Sequence, residues 1–459
     1  MKRNFLRLTF FPSNPKWRVK ILYGLAIALW LAASPASAGA EAPTKTPIHH
    51  LIFLLQENHT FDSYFGTYPG ADGIPAGVKM PLDPNDPSKG YVVPFHIGNY
   101  PLCDLSHSLK TLDLQIDNGK MDGFVYAQNL VQKDGHVVMG YYNDQDLPYY
   151  YNIADNYVLF DRFFSSAKNG SFQNHMFTIA GRPPLGSSYI DAGGKYDQFL
   201  TIFDRLEEKH ISWKFYVQNY EPNITYRSPG QGSKSEQVLW VPLLYIDRFL
   251  DQPELNRHIV DLSEYYQDLH NGTLPEVAYI SPSGASEQSP GSVQTGQSFV
   301  RGLIQELMRS PYWSSSAFLW SYDDWGGWYD HVLPPQVDAY GYGLRVPALL
   351  VSAYARQGYV DHGTYDFTSV LKFIEENWGV DPVGGRDAQA QTFFSAFDFT
   401  RGPRPAVMLG DARPSGEKPK KVNTQVIYQA YTLAIGVGML SIFWAIGGST
   451  LRSIRPRRR

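Results

Sequence analysis

Six short apolar runs, spaced by stretches of helical periodicity, limit this chain to few architectures. The runs fall at 51–55, 158–163, 213–217, 277–280, 317–321 and 347–352. Their β-branched and aromatic character and their polar flanks predict strands rather than helices. Helices are predicted at 201–210 and at 298–309, where Phe299, Leu303, Leu307 and Met308 share one face. A third, at 368–378, is stopped by Gly379. Strands separated by helices argue for a parallel sheet covered on both faces. The expected class is α/β: a central, mostly parallel sheet flanked by helices. The segment 67–100, rich in Pro, Gly and Asp, is expected to be loop. The tyrosines of "YYNDQDLPYYYN" at 141–152 either wall a pocket or pack over the core.

In such a sheet ligands bind beyond the carboxyl ends of the strands, so the residues just past each strand carry the chemistry. The first run, in "HLIFLLQENH", ends in Glu57 and Asn58. The second leads into "SSAKNGSFQNH", with Gly170-Ser171 ahead of a helical pattern, and the fifth into Asp323 and Asp324 of "YDDWGGWYDH". Glu57, Asn58, Asp323 and Asp324 are hard oxygen donors of the kind that hold divalent cations. Adjacent carboxylates repel unless a cation neutralises them; the other reading is a polar turn before Gly326-Gly327. Ser171 reads either as an N-cap or as a nucleophile with a metal-lowered pKa, helix amides holding its anionic substrate. His107, His175, His331 and His362 lie in loop contexts rich in Gly or Asp. Each suits protonating a leaving oxygen or holding a phosphoryl oxygen, and each also suits a structural role.

The two ends differ from the middle. Basic residues, an apolar block from Ile21 and a small-residue site at Ala36-Ser37-Ala38 predict a signal peptide over 1–38; an uncleaved anchor is the alternative. A Pro-, Gly- and Lys-rich linker is expected at 401–425. The uncharged stretch 426–447 is long enough for a transmembrane helix, and the arginines of 448–459 predict a cytoplasmic tail. The expectation is a single-pass cell-membrane protein with its catalytic domain, 39–400, outside the cytoplasm. Of 40 lysines and arginines, six precede Gly39 and five lie beyond the apolar stretch, leaving 29 against all 44 acids, a net charge near −15. That balance excludes nucleic acid as a partner class. Cys103 is the sole cysteine, so no intrachain disulfide framework exists.

Five ordered blocks, "ENHTFDSYFG", "GKMDGF", "NGSFQNHMFTIAG", "YDDWGGWYDHV" and "RVPALLVSAYARQGYVDH", together resemble the bacterial phosphoesterase family of phospholipases C and acid phosphatases. The resemblance runs from about residue 49 to 399 and implies an alkaline-phosphatase-like fold with a metal site at the strand ends. It implies Glu57, Asn58, Ser171, Asp323 and Asp324 as ligands of a divalent metal and Ser171 as nucleophile. His107 would contact the phosphoryl group, and Asn174, His175, Gln288 and His331 would lie on the substrate side. Three departures stand out: Asp324 replaces Glu, Trp325 stands where many members have His, and Gln288 of "SEQSPGS" stands where the His of "EHP" is expected. The expected function is an extracytoplasmic, membrane-anchored, metal-dependent phosphoric ester hydrolase of phospholipase C or acid phosphatase type, acting through a serine nucleophile on a soluble phosphate ester or a phospholipid. The rival expectation is a surface binding protein on a catalytically degenerate scaffold.

Overall fold

The run at 51–55 grows into β1, His50–Gln56, with all seven residues buried. The computed structural model describes residues 42–98, 102–168, 170–183, 196–228, 233–283, 287–288 and 291–412. One sheet holds β1, β2 (Val158–Phe160), β3 (Trp213–Val217), β4 (Ile259–Asp261), β5 (Val277–Ser281), β6 (Ser316–Tyr322), β7 (Ala348–Ser352) and β8 (Tyr359–Asp361). Their order across the sheet is β8-β2-β7-β6-β1-β5-β3-β4. Every pairing is parallel except those of β7 with β6 and β2, which are antiparallel. The sheet is therefore mixed, with one reversed strand near its middle. β1 and β6 sit side by side there and are buried throughout, which is why their sequences are continuously apolar.

The helices begin and end where local chemistry directs. Ile202–Glu208 opens on a reciprocal capping box between Thr201 and Asp204. Val293–Arg309 starts earlier than its apolar stripe, because the Ser292 hydroxyl accepts the Thr295 N–H as N-cap. Phe367–Trp378 stops at Gly379, whose φ of 66° is left-handed. Tyr149, Tyr150 and Tyr151 fall on the buried helix Pro148–Asn156, so the tyrosine-rich stretch packs over the core.

The expected architecture needs one correction. A spanning helix requires about 20 apolar residues, and among the described residues no helix is long and apolar enough to cross a membrane. The longest, Val293–Arg309, has 17 residues and carries Arg301, Glu306 and Arg309. The described residues thus form an α/β domain with no membrane-crossing helix, and the transmembrane helix expected at 426–447 and the single-pass membrane location drawn from it find no support there. That segment, the tail beyond it and the signal at 1–38 lie outside the described residues. The chain separates into two compact units, Met1–Asp411 and Ala412–Arg459; all elements named here belong to the first. The opening of the expected linker packs on that unit, where Asn152 donates to the Gly410 carbonyl at 2.7 Å and Arg301 pairs with Asp411.

Candidate active site

β1 and β6 run parallel with Gln56 opposite Tyr322, so Glu57-Asn58 and Asp323-Asp324 leave the sheet side by side. The Asp323 N–H donates to the Gln56 carbonyl at 2.9 Å, and the Asn58 N–H donates to Asp323 Oδ1 at 3.0 Å. Asn58 turns the chain at a φ of 66°, a left-handed conformation that Asn tolerates better than most residues. Gly326 closes against it with a φ of 58°, and a Cβ there would lie 2.2 Å from the Asn58 carbonyl oxygen. Only glycine fits that approach.

This geometry crowds negative charge, and among the described residues no lysine or arginine pairs with it. Burial drives the Glu57 carboxyl well above the ordinary range, and Asp323 and Asp324 push it further. Asp323 is raised to about 6 by burial first and by Asp324 second. Burial also raises Asp324, opposed by His107. Two buried oxygens within the cluster, Asn58 Oδ1 and Asp323 Oδ2, accept no hydrogen bond. A buried polar atom left unpaired costs about 1–3 kcal/mol. Hard donors, uncompensated like charge and unpaired oxygens together fit a divalent cation. His175 completes the set: its Nε2 lies 3.4 Å from Glu57 Oε1 and 3.9 Å from Asp323 Oδ2. Burial lowers its pKa to about 4, so the ring is neutral and able to ligate at pH 7. One ligand atom from each of Glu57, His175 and Asp323 falls within 4.8 Å of the others.

Ser171 is the first residue of the helix Ser171–Ala180 rather than its N-cap, a place held by Gly170 at φ 52°. Its hydroxyl is therefore released from capping and donates to Asp324 Oδ2 at 3.3 Å. Asp324 Oδ1 accepts the Gly326 N–H at 2.8 Å, which fixes the carboxylate. His107 donates from Nδ1 to the Leu105 carbonyl at 2.9 Å. Burial opposes its protonation, but Asp324, the Leu105 carbonyl and Asp323 outweigh burial and raise its pKa. His107 and Ser171 line one cleft of about 530 Å³, with Leu105, Phe172 and Leu239 on its walls.

The other expected residues sit around this centre. Asn174 is fully buried, its amide bonded to the backbone of Ala167 and Gly170; it holds the loop that presents Ser171. Gln288 donates to Asp104 Oδ1 at 3.1 Å, beside the cleft. His331 is elsewhere, bonded to Asp62 at 2.7 Å, and His362 bonds Asp161 at 2.7 Å. Trp325 is fully buried and donates to Gln115 Oε1; its edge meets the His107 ring at 6.3 Å between centroids. His175 lies one helical turn from Ser171, so its place beside the acids was open to a helical-face argument. Lys110 and Lys133, which also line the cleft, carry no such signal.

The Phosphoesterase family model matches residues 48–381. Phospholipase C B of Mycobacterium tuberculosis is 27% identical over 427 residues, covering 79% of this chain and 80% of that protein. Non-specific phospholipase C1 of Arabidopsis thaliana is 25% identical over 427 residues, covering 81% and 76%. A solved member of the alkaline phosphatase superfamily from Vibrio parahaemolyticus superposes with a TM-score of 0.37 at 12% identity, over 78% of this chain and 74% of that one. The family match spans most of the described domain and contains Glu57, Asn58, Ser171, His175, Asp323 and Asp324. The chain belongs to the phosphoesterase family and is a hydrolase of phosphoric esters.

Proposed function

We propose that Ser171 is the nucleophile of a metal-dependent phosphoric ester hydrolase that acts on phospholipids or related esters. The observation carrying this reading is the Ser171 hydroxyl, on the wall of an open cleft, bonded to Asp324 of a buried acid set with unpaired oxygens. A phospholipid substrate is supported by the relatives named as phospholipases C. A divalent cation held by Glu57, Asn58, His175 and Asp323 would neutralise their charge, polarise a phosphoryl oxygen and favour the serine alkoxide.

Ser171 Oγ attacks phosphorus in line, forming the serine–phosphorus bond as the ester bond breaks. The hydroxyl proton passes to Asp324, whose raised pKa makes it a competent base. His107, with Nδ1 committed to the Leu105 carbonyl, offers the Nε2 proton of its charged form to the leaving oxygen. Water, giving a proton to the now neutral His107, then attacks phosphorus as the serine–phosphorus bond breaks, and Asp324 returns its proton to Ser171 Oγ, releasing the phosphoryl product and restoring both groups. The Ser171–Ala180 helix N-terminus, with no acid in its first turn, favours the anion.

The test is hydrolysis of a chromogenic phosphate monoester and of its phosphocholine diester, with and without chelator, beside Ser171→Ala. Turnover is expected to depend on divalent metal and to fall by about 10³-fold or more in the variant. Full activity in Ser171→Ala would overturn the nucleophile. Full activity of exhaustively chelated protein would overturn the metal.

A further inference from the structure

We infer that the ester bound at Ser171 carries a second negative charge outside its reacting phosphoryl group, and that Lys110 and Lys133 bind it. This rests on the reading of Ser171 given above. Both lysines line the Ser171 cleft, and among the described residues neither pairs with a carboxylate. Five of the other described lysines do: Lys45 with Glu376, Lys89 with Asp83, Lys120 with Asp117, Lys214 with Glu264 and Asp268, and Lys372 with Glu375. Lys79, Lys168 and Lys209 do not; what sets Lys110 and Lys133 apart is that they share one cleft. In a chain whose central region is near −15, two unpaired ammonium groups at one cleft are a local reversal of charge.

Lys110 is also placed against helix stability. It is the second residue of the helix Leu109–Ile116, whose first turn holds no acid. A cation there opposes the helix dipole, so the position favours a bound anion over the free helix. Lys133 comes from the turn after Phe124–Leu130, so two separate elements each bring a lysine to the wall of the same cleft. Among the described residues the one acid on the cleft wall is Asp104, which accepts from Gln288. A quaternary ammonium head group is recognised by aromatic faces, and among the described residues Phe172 is the one Phe, Tyr or Trp lining the cleft. The walls therefore suit a carboxylate- or phosphate-bearing ester better than a choline ester.

Two matched pairs test this on the full-chain protein and separate soluble from lipid sources. The soluble pair is 3-phosphoglycerate and phosphocholine; the lipid pair is phosphatidylserine and phosphatidylcholine in mixed micelles. The anionic member of at least one pair is expected to show the higher kcat/KM. Lys110→Ala and Lys133→Ala should each lower that value about three- to tenfold, chiefly through KM, with a smaller loss on the cationic member. Lys209→Ala, an exposed lysine outside the cleft, serves as control. A second readout needs no turnover: calorimetric binding of 3-phosphoglycerate and phosphocholine to Ser171→Ala, with and without each lysine change. Preference for the cationic member, anionic preference unmoved by both lysine variants, or binding of neither probe would each overturn the inference. Charge preference lost with Ser171-dependent turnover intact sinks this inference alone. Turnover that survives Ser171→Ala sinks the nucleophile, while the binding arm still decides the charge preference.

Discussion

Two groups of buried acids stand on the same two segments beyond β1 and β6, and the fold treats them in opposite ways. Among the described residues Glu57, Asp323 and Asp324 pair with no lysine or arginine, and their cluster keeps two unpaired oxygens. A few residues further along those segments, Asp62 and Asp330 close around Arg345, which is fully buried. Arg345 donates to both Asp330 oxygens at 2.9 and 3.1 Å, to Asp62 Oδ1 at 3.0 Å, and to the Asp72 and Asp161 carbonyls. The other Asp62 oxygen accepts from the His331 backbone and ring. Burial works against the guanidinium charge, but Asp330 and Asp62 outweigh it and raise its pKa. One cluster carries its own counter-ion and is closed. The other is left short of positive charge, as a site that must accept a ligand would be.

The largest effect should come from removing the internal counter-ion. Arg345→Leu leaves Asp62 and Asp330 buried and unpaired, and stability should drop by about 3–5 kcal/mol. Urea denaturation followed by circular dichroism measures it. A loss below about 1 kcal/mol would mean that the acids reach solvent or protonate cheaply, and the contrast between the clusters would collapse.

Next in size is a pair of changes with opposite signs. Asp330→Asn breaks a buried ion pair and should destabilise by about 2–3 kcal/mol. Asp323→Asn in metal-free protein removes one of the crowded charges, so stability should hold or rise. Saturating divalent cation, at about 100 times its dissociation constant, should stabilise the unmodified protein by about 2.7 kcal/mol. That gain should persist in Asp330→Asn and vanish in Asp323→Asn. Equal metal gains in both variants would place the cation elsewhere.

The closed cluster was hidden from sequence for a physical reason. Arg345 and Asp62 meet across 283 residues, and nothing local marks an arginine as a buried counter-ion. His331 was expected at the site because it shares a block with Asp323 and Asp324. Gly326 and Gly327 both take positive φ, turning the chain so that His331 reaches the neighbouring cluster instead. β1 and β6 were legible because their apolar runs are long and continuous. β4 and β8 were not, since three-residue edge strands such as "IVD" and "YVD" carry no pattern. The acids at the strand ends were legible as one group through their position after parallel strands. Their unpaired oxygens required the register of β1 against β6.

Glu287 shows a third way to bury a carboxylate and yields the smallest of these effects. It is fully buried beside the site and accepts from the hydroxyls of Tyr64, Tyr150 and Tyr322, the last at 2.9 Å. Neutral donors hold it, with neither an arginine nor a metal. Burial raises its pKa to about 7, and the three hydroxyls oppose the rise without cancelling it. Between its unfolded value of 4.5 and about 7, Glu287 holds more protons folded than unfolded, so its contribution to stability is full below that window and is lost as pH rises through it. Unfolding free energy should therefore fall by about 2 kcal/mol from pH 5 to pH 7 on its account. Glu287→Gln keeps the shape and removes the ionisation, and urea titrations across that range should show the decline flattened by the same amount. If the slope is unchanged, three hydroxyls suffice to hold a buried carboxylate charged, and the bare acids beyond β1 and β6 would need a cation less than their geometry indicates.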